Sequence, residues 1–300
     1  MEVAAAPERE VGLRTHTKIK IKAKRLKRLR ERLWRGFTLK SILELISLRG
    51  KRSLITGSAS GIGRAMALRF AEAGSNLELV DINIDGLNAV KEELARFNVE
   101  VNVHRVDLTK KDEIDALWDR LKGREPDILV NNAGVYPFKS LMEVDEQFLE
   151  KVMWINLKSV FWMCRYMIER RMDRGGVIIN VGSIEALLPF EKELAHYTLT
   201  KAGVIALTRA IAKEYGEKGF RANVIIPGGI MTPGIERTAT ELTRKGVNTQ
   251  EIFQRFMARI PLCRLGDPDE VARMALVLAS DLASYVQGAL IPVDGGFLST

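Results

Sequence analysis

The 300-residue chain has only two cysteines, Cys164 and Cys263, and they show no metal-type spacing. So few cysteines exclude a disulfide framework and suit a reducing compartment, so the expected location is cytoplasmic. Histidine is nearly as rare: His16, His104 and His196 lie far apart in sequence, and no metal site is expected. No apolar run reaches the roughly 20 residues that a membrane-spanning helix requires. The opening stretch MEVAAAPERE is acidic and lacks an apolar core, so no secretory signal is expected there. Internal repeats and low-complexity tracts are also missing.

The net charge of +8 is unevenly placed. Residues 1–52 carry 16 Lys and Arg against 5 Asp and Glu, a balance of +11, while the rest carries 30 against 33, a balance of −3. The basic character therefore belongs to an N-terminal extension, residues 1–46, and not to the main body, residues 47–300. A body of that sign offers no electrostatic footprint for nucleic acid, and no specific nucleic-acid partner is expected.

In the body, short aliphatic runs alternate with longer amphipathic stretches. Runs at 53–56, 77–81, 101–107, 127–132, 177–183, 222–227 and 289–294 read as strands. Helical patterns fall between them, at 61–73, 85–97, 110–122, 145–172, 197–216, 236–258 and 267–280. Such alternation implies right-handed crossovers and a parallel sheet. Nearly all-apolar strands imply cover on both faces. The expected class is α/β, a doubly wound, Rossmann-type sheet in a single domain.

Two short stretches carry chemistry on their own terms. The first strand runs into TGSASGIG, with Gly57, Gly61 and Gly63 opening a helix. Glycines there let the backbone turn tightly and approach a pyrophosphate, which the helix N-terminus then favours. A glycine cluster alone makes an ordinary turn; its place between strand and helix is what a dinucleotide loop requires. The second strand ends in Asp81, 18 residues beyond Gly63. A carboxylate at that point accepts hydrogen bonds from ribose hydroxyls and repels a 2′-phosphate, which favours NAD.

In chain order, TGSASGIG, Asp81, the DLT at 107–109, NNAG at 131–134, Asn156, Ser183, YTLTK at 197–201 and PGGIMT at 227–232 resemble the short-chain dehydrogenase/reductase family. The resemblance covers about 47–300, including the ending RLGDPDEVA to VDGG. It implies that Ser60, Ile62 and the three loop glycines hold the cofactor. It further implies that Asp107 and Leu108 meet the adenine, and that Asn132, Ala133 and Gly134 line the cleft. Pro227, Gly228, Ile230 and Thr232 would hold the nicotinamide amide. Asn156, Ser183, Tyr197 and Lys201 would form the catalytic tetrad, the last two also touching cofactor. The family further implies a homotetramer or dimer built through the helices at 145–172 and 197–216.

The residue types suit that chemistry. Tyr197 and Lys201 lie one helical turn apart and share a face. A phenol is a poor base near neutrality, with an ordinary pKa of about 10. A neighbouring ammonium stabilises the phenolate, so Tyr197 would serve as general base in oxidation and general acid in reduction. Ser183 would hydrogen-bond the substrate oxygen, and Asn156 would hold a water linking Lys201 to solvent. Glu185, Glu191 and Glu193 lie in the stretch between Ser183 and Tyr197, which would border the substrate; they either read a polar group or are simply solvated. Tyr136, Leu187, Leu188, Pro189 and Phe190 are candidates for an apolar pocket wall, and residues 231–262 for a lid.

The expected function is an NAD-dependent oxidoreductase interconverting a secondary alcohol and a ketone on a small substrate: a sugar, a polyol, a steroid-like compound or an acyl ketone. The rival is an NAD-binding sensor or structural protein tethered by the basic arm. In that arm, Ile19, Ala23, Leu26, Leu29, Leu33 and Phe37 repeat at helical spacing, with Lys and Arg on the other faces. The pattern suits packing on the body or on a neighbouring subunit, peripheral contact of residues 17–37 with an anionic membrane surface, nucleic-acid contact through charge alone, or a disordered or processed leader. Gly36 ends this pattern, and Ser41 with Glu44 resembles a capping box for a second short helix.

Overall fold

The computed structural model describes residues 39–300, so the amphipathic stripe of 19–37 and its Gly36 stop lie outside the described residues. The body is one compact unit from Leu43 to Thr300. Its first element is a short helix, α1 (Ile42–Ile46), which starts directly after Ser41.

All seven expected strands form. They are β1 (Arg52–Thr56), β2 (Asn76–Asp81), β3 (Val101–Arg105), β4 (Ile128–Asn131), β5 (Gly176–Val181), β6 (Phe220–Pro227) and β7 (Leu290–Val293). They make one sheet in the order β3-β2-β1-β4-β5-β6-β7, and every neighbouring pair is parallel. The order reverses between β1 and β4. In a doubly wound sheet, that switch point opens a crevice at the C-terminal ends of the strands.

Strand side chains alternate between two cores, which is why the runs are apolar throughout. Ile55, Ile128, Val130, Ile179 and Ile225 face one layer, made by α2 (Gly61–Glu72), α3 (Ile84–Leu94) and α10 (Pro268–Ala279). Leu54, Leu129, Ile178 and Ala222 face the other, made by α4 (Lys111–Arg120), α6 (Ser159–Arg170) and α7 (Ala195–Tyr215). A smaller third cluster includes Ile184, Ile226, Ile260 and Phe297.

Two expected helices differ from the sequence reading. The stretch 145–172 is α5 (Glu146–Met153), one wide turn of π type (Trp154–Lys158), and then α6. The amide N–H of Ser159 reaches back five residues to the Trp154 carbonyl. The stretch 236–258 divides into α8 (Pro233–Arg244) and α9 (Thr249–Met257). Gly246, at φ 78°, takes the left-handed conformation just after α8. The Asn248 side chain then caps α9 by accepting the Glu251 N–H at 3.2 Å.

Both cysteines are free thiols, Cys164 buried and Cys263 exposed. No helix among the described residues is long and apolar enough to cross a membrane.

Candidate active site

Gly57, at φ 66°, turns the chain sharply out of β1. A Cβ on Gly57 would lie 2.8 Å from the Ala133 Cα, and one on Gly63 only 2.1 Å from the Gly57 carbonyl oxygen. The loop therefore presents bare backbone at the opening of α2. Asn132 holds it from β4: its Nδ2 donates to the carbonyls of Thr56 at 3.0 Å and Gly57 at 3.1 Å. The N–H groups of Asn132 and Ala133 donate in turn to the Thr56 hydroxyl, at 3.0 and 3.1 Å. Ser60 stands at the N-terminus of α2 and makes no side-chain cap.

Asp81 ends β2 beside this loop. Its two carboxylate oxygens accept the N–H groups of Ala59 at 3.1 Å and Asn83 at 3.0 Å. Asp107 follows β3 and accepts both the N–H and the hydroxyl of Thr109, at 2.9 and 2.7 Å. Burial alone would push the Asp107 carboxyl up, but the Thr109 hydrogen bonds and the nearby Lys110 and Arg105 hold it below its ordinary value. Leu108 is buried in the core, so its side chain is not offered to a ligand.

At the other end of the crevice, one cavity of about 380 Å³ collects Ile62, Asn132, Gly134, Ser183, Tyr197, Lys201, Pro227, Gly228, Ile230 and Thr232. Gly57, Ser60, Gly61, Gly63, Asp81, Asp107, Leu108, Ala133 and Asn156 do not line it. They form the glycine loop, its flanks and its support. Gly61 and Thr232 bring the two regions together, since a Cβ on Gly61 would sit 3.4 Å from the Thr232 methyl. Thr232 also caps α8 by accepting the Ile235 N–H at 3.3 Å.

Ser183 lies just beyond β5 and lines the same cavity as Tyr197, whose ionised phenolate its hydroxyl favours. Its oxygen also accepts the Glu185 N–H at 3.2 Å. Lys201 is buried on α7; its ammonium donates to the Val181 carbonyl at 2.8 Å and lies 5.9 Å from the centre of the Tyr197 ring. Burial pulls the Lys201 amine down to about 8 and pushes the Tyr197 phenol up to about 12, the Ser183 hydroxyl opposing the second shift. Protein groups alone therefore keep the phenol protonated at neutrality.

Asn156 is fully buried in the π turn. Its Oδ1 accepts the Val135 N–H at 2.9 Å, and its Nδ2 donates to the Val135 carbonyl at 2.8 Å and the Thr200 hydroxyl at 3.3 Å. The buried amide is thus fully employed in pinning the strand exit after β4. A Cβ on Gly134 would meet both Asn156 Oδ1, at 3.3 Å, and Lys201 Nζ, at 3.4 Å.

The outer walls are mostly apolar. Phe138, Phe190, Leu194 and Leu265 meet Ile235 and Leu242 from α8, and Ile252, Phe253 and Phe256 from α9. Of the expected wall residues, Tyr136 and Phe190 line the cavity. Leu188 packs into the third core cluster and Leu187 is exposed. Glu185 is buried on the cavity wall, Glu191 pairs with Arg255 at 3.0 Å, and Glu193 takes φ 63°. His196 is a packing residue: its Nε2 bonds the Pro137 carbonyl at 2.7 Å and its ring meets Phe148 edge-on. The apolar faces of α8 and α9 were legible only as a lid in general, because their periodicity does not say which cavity they face. No cluster of metal-ligating side chains occurs among the described residues.

The glycine cradle and the donors around it fit a dinucleotide. The residues where α8 begins and around Tyr197 fit its reactive end. A family model described as enoyl-(acyl carrier protein) reductase matches residues 57–298. The chain is 37% identical over 257 residues to a 3-oxoacyl-[acyl-carrier-protein] reductase, FabG, of Thermotoga maritima, covering 84% of this chain and 99% of that protein. It is 35% identical over 260 residues to 3beta-hydroxysteroid dehydrogenase 2 of Eggerthella lenta, covering 83% and 95%. Among solved structures it resembles the L-sorbose reductase of Gluconobacter frateurii, complexed with NADPH and L-sorbose, at 32% identity and a TM-score of 0.79, covering 85% of this chain and 99% of that one. With this sheet order, this glycine loop and matches along nearly its whole body, the chain belongs to the short-chain dehydrogenase/reductase family of nicotinamide-dependent oxidoreductases.

Proposed function

We propose that this oxidoreductase interconverts a secondary alcohol and a ketone with NAD, on a bulky apolar substrate of steroid-like or acyl type. The carrying observation is the meeting of Ser183, Tyr197 and Lys201 in one cavity whose outer walls are mostly Phe, Leu and Ile, with Tyr136, Thr238 and Thr249 among them. A mostly apolar wall rewards buried hydrocarbon and offers few partners to the several hydroxyls of a sugar, which are costly to bury unpaired. The names of the hydroxysteroid and oxoacyl relatives agree with this choice, and that of the sorbose reductase does not.

Gly57, Ser60, Gly61, Ile62 and Gly63 would hold the pyrophosphate, Asp81 the adenosine ribose, and Asp107 with the Leu108 backbone the adenine. Asn132, Ala133 and Gly134 would form the floor. Pro227, Gly228, Ile230 and Thr232 would hold the nicotinamide end. A bound nicotinamide supplies the hydride donor or acceptor. Ser183 fixes the substrate oxygen with its hydroxyl. Tyr197 gives that oxygen a proton in reduction and takes it in oxidation. Lys201 in its protonated form lowers the cost of the phenolate, and Asn156 fixes the backbone against which Lys201 packs.

The choice of NAD rests on Asp81, whose charge repels a 2′-phosphate. Nicotinamide absorbance, followed with NAD and NADP on a panel of hydroxysteroids, long-chain secondary alcohols, polyols and sugars, tests the whole reading. Turnover of the apolar alcohols with NAD, lost in Tyr197→Phe, is the expected result. Turnover only with NADP refutes the role of Asp81, and turnover only with polyols refutes the substrate class.

A further inference from the structure

One charged group on the cavity wall has no part in that chemistry. Glu185 is only 8% exposed, yet it lies two residues from Ser183 on a single 3-10 turn, Ile184–Ala186. Its side chain folds back on the loop that leads to α7. One carboxylate oxygen accepts the Phe190 N–H at 3.1 Å and the other the Glu191 N–H at 3.4 Å. Phe190 is thereby presented to the cavity beside Phe256, and its ring meets those of Phe256 and the core residue Phe297 edge-on. The Glu185 backbone N–H also occupies a lone pair of the Ser183 oxygen. A hydroxyl that accepts on one side has its own proton to give on another, here toward the cavity that Ser183 shares with Tyr197.

We propose that Glu185 is a positioning residue of this site: its carboxylate holds the Phe190–Glu191 turn closed on the cavity, its N–H leaves the Ser183 proton to be given into that cavity, and its charge, on the wall it shares with Tyr197, acts on the proton of the phenol. The proposal rests on the reading of Tyr197 as the proton carrier. The groups around the pair are few. Glu191 stands on the same loop and is paired with Arg255 of α9; Tyr136 faces Tyr197 from the exit of β4, with ring centres 6.1 Å apart; Lys201 lies on α7 beneath the phenol. Burial raises the Glu185 carboxyl above its ordinary value, but it is still ionised wherever a phenol titrates. Its negative charge is one of the causes that raise Tyr197.

Three variants separate these roles. Tyrosinate absorbance after a pH jump, taken as wild type minus Tyr197→Phe, isolates the titration of Tyr197 without any substrate. In a Glu185→Gln background the same difference should move down by about one pH unit, because a like charge has been removed. A midpoint that stays or rises overturns the electrostatic role, and a merely structural residue would not move it. The second readout is NAD-dependent oxidation of a 3β-hydroxysteroid probe. Glu185→Ala leaves two backbone N–H groups without their acceptor, and KM should rise about tenfold with a smaller change in kcat. Glu185→Gln, which keeps one acceptor oxygen, should recover most of that loss. An unchanged KM in Glu185→Ala overturns the clamp. If the probe is not turned over at all, or Tyr197→Phe keeps its activity, the reading of the site fails and the titration still decides the role of Glu185.

Discussion

Lys201 carries the clearest conflict between stability and activity. Its amine falls from an ordinary 10.5 to about 8 because the folded chain buries it. Between those values the unfolded chain holds a proton that the folded chain does not, so stability rises with pH across that window. Below about 8 the full cost remains, about 3 kcal/mol by that shift. Lys201→Met should therefore raise the thermal midpoint at neutral pH by a few degrees, after the loss of the Val181 bond is set against it, while abolishing turnover. Calorimetry beside an activity assay checks both halves; a lower midpoint would mean that the ammonium is a net support of the fold. Tyr197 sets the direction. A phenol pushed up to about 12 keeps its proton through neutrality, so ketone reduction has its acid ready there. Alcohol oxidation needs the phenolate, so its kcat/KM should climb as pH rises toward the alkaline range. A pH profile of both directions tests this, and an oxidation rate that falls with pH would contradict it.

The glycine loop and its helix work as one element. Gly63 has no room for a side chain, because a Cβ would press on the Gly57 carbonyl and on Asn132 Nδ2 at 2.6 Å. Both are backbone or backbone-holding groups and cannot step aside. Gly63→Ala should cost about 1–3 kcal/mol of stability by overpacking. It should also weaken NADH binding at least tenfold, since the loop and α2 must separate; fluorescence titration with unchanged affinity would show that the loop has slack. This element was legible in the sequence because its function is written in glycine spacing between a strand and a helix. The π turn was not. Nothing in WINLK departs from helical periodicity, and the wide turn exists because the Asn156 amide reaches the Val135 backbone, a partner 21 residues away. The break between α8 and α9 had a local signal in Gly246 and Asn248, outweighed by the amphipathic period on either side of it.

At the scale of the whole molecule, strand and helix alternation was enough for the sheet, because burial on both faces leaves a continuous apolar run in every strand. The walls of the cavity were less accessible, since an apolar face on α8 or α9 reads the same whether it meets core or substrate. Glu185 was visible as a loop carboxylate but not as a clamp, because its partners are backbone groups that no side-chain pattern reveals. The remaining question at this scale is what the basic extension contributes. Among the described residues, the three core clusters draw only on those from Ile46 onward, and Leu48, at 1% exposure, is fixed to the Ala73 carbonyl by its N–H. A chain begun at Leu43 keeps all of these groups. It should unfold in one cooperative transition and bind NADH as the full chain does. Its net charge should change sign, because most of the +11 of residues 1–52 is removed and the body beyond them stands at −3. Co-sedimentation with anionic vesicles, run on both chains, then isolates the extension: binding by the full chain alone assigns it to a membrane surface, whereas binding by neither, together with a smaller assembly of the shortened chain in sedimentation velocity, assigns it to contact between subunits. Loss of the cooperative transition in the shortened chain would instead make the extension part of the folding unit and move the domain boundary toward the N-terminus.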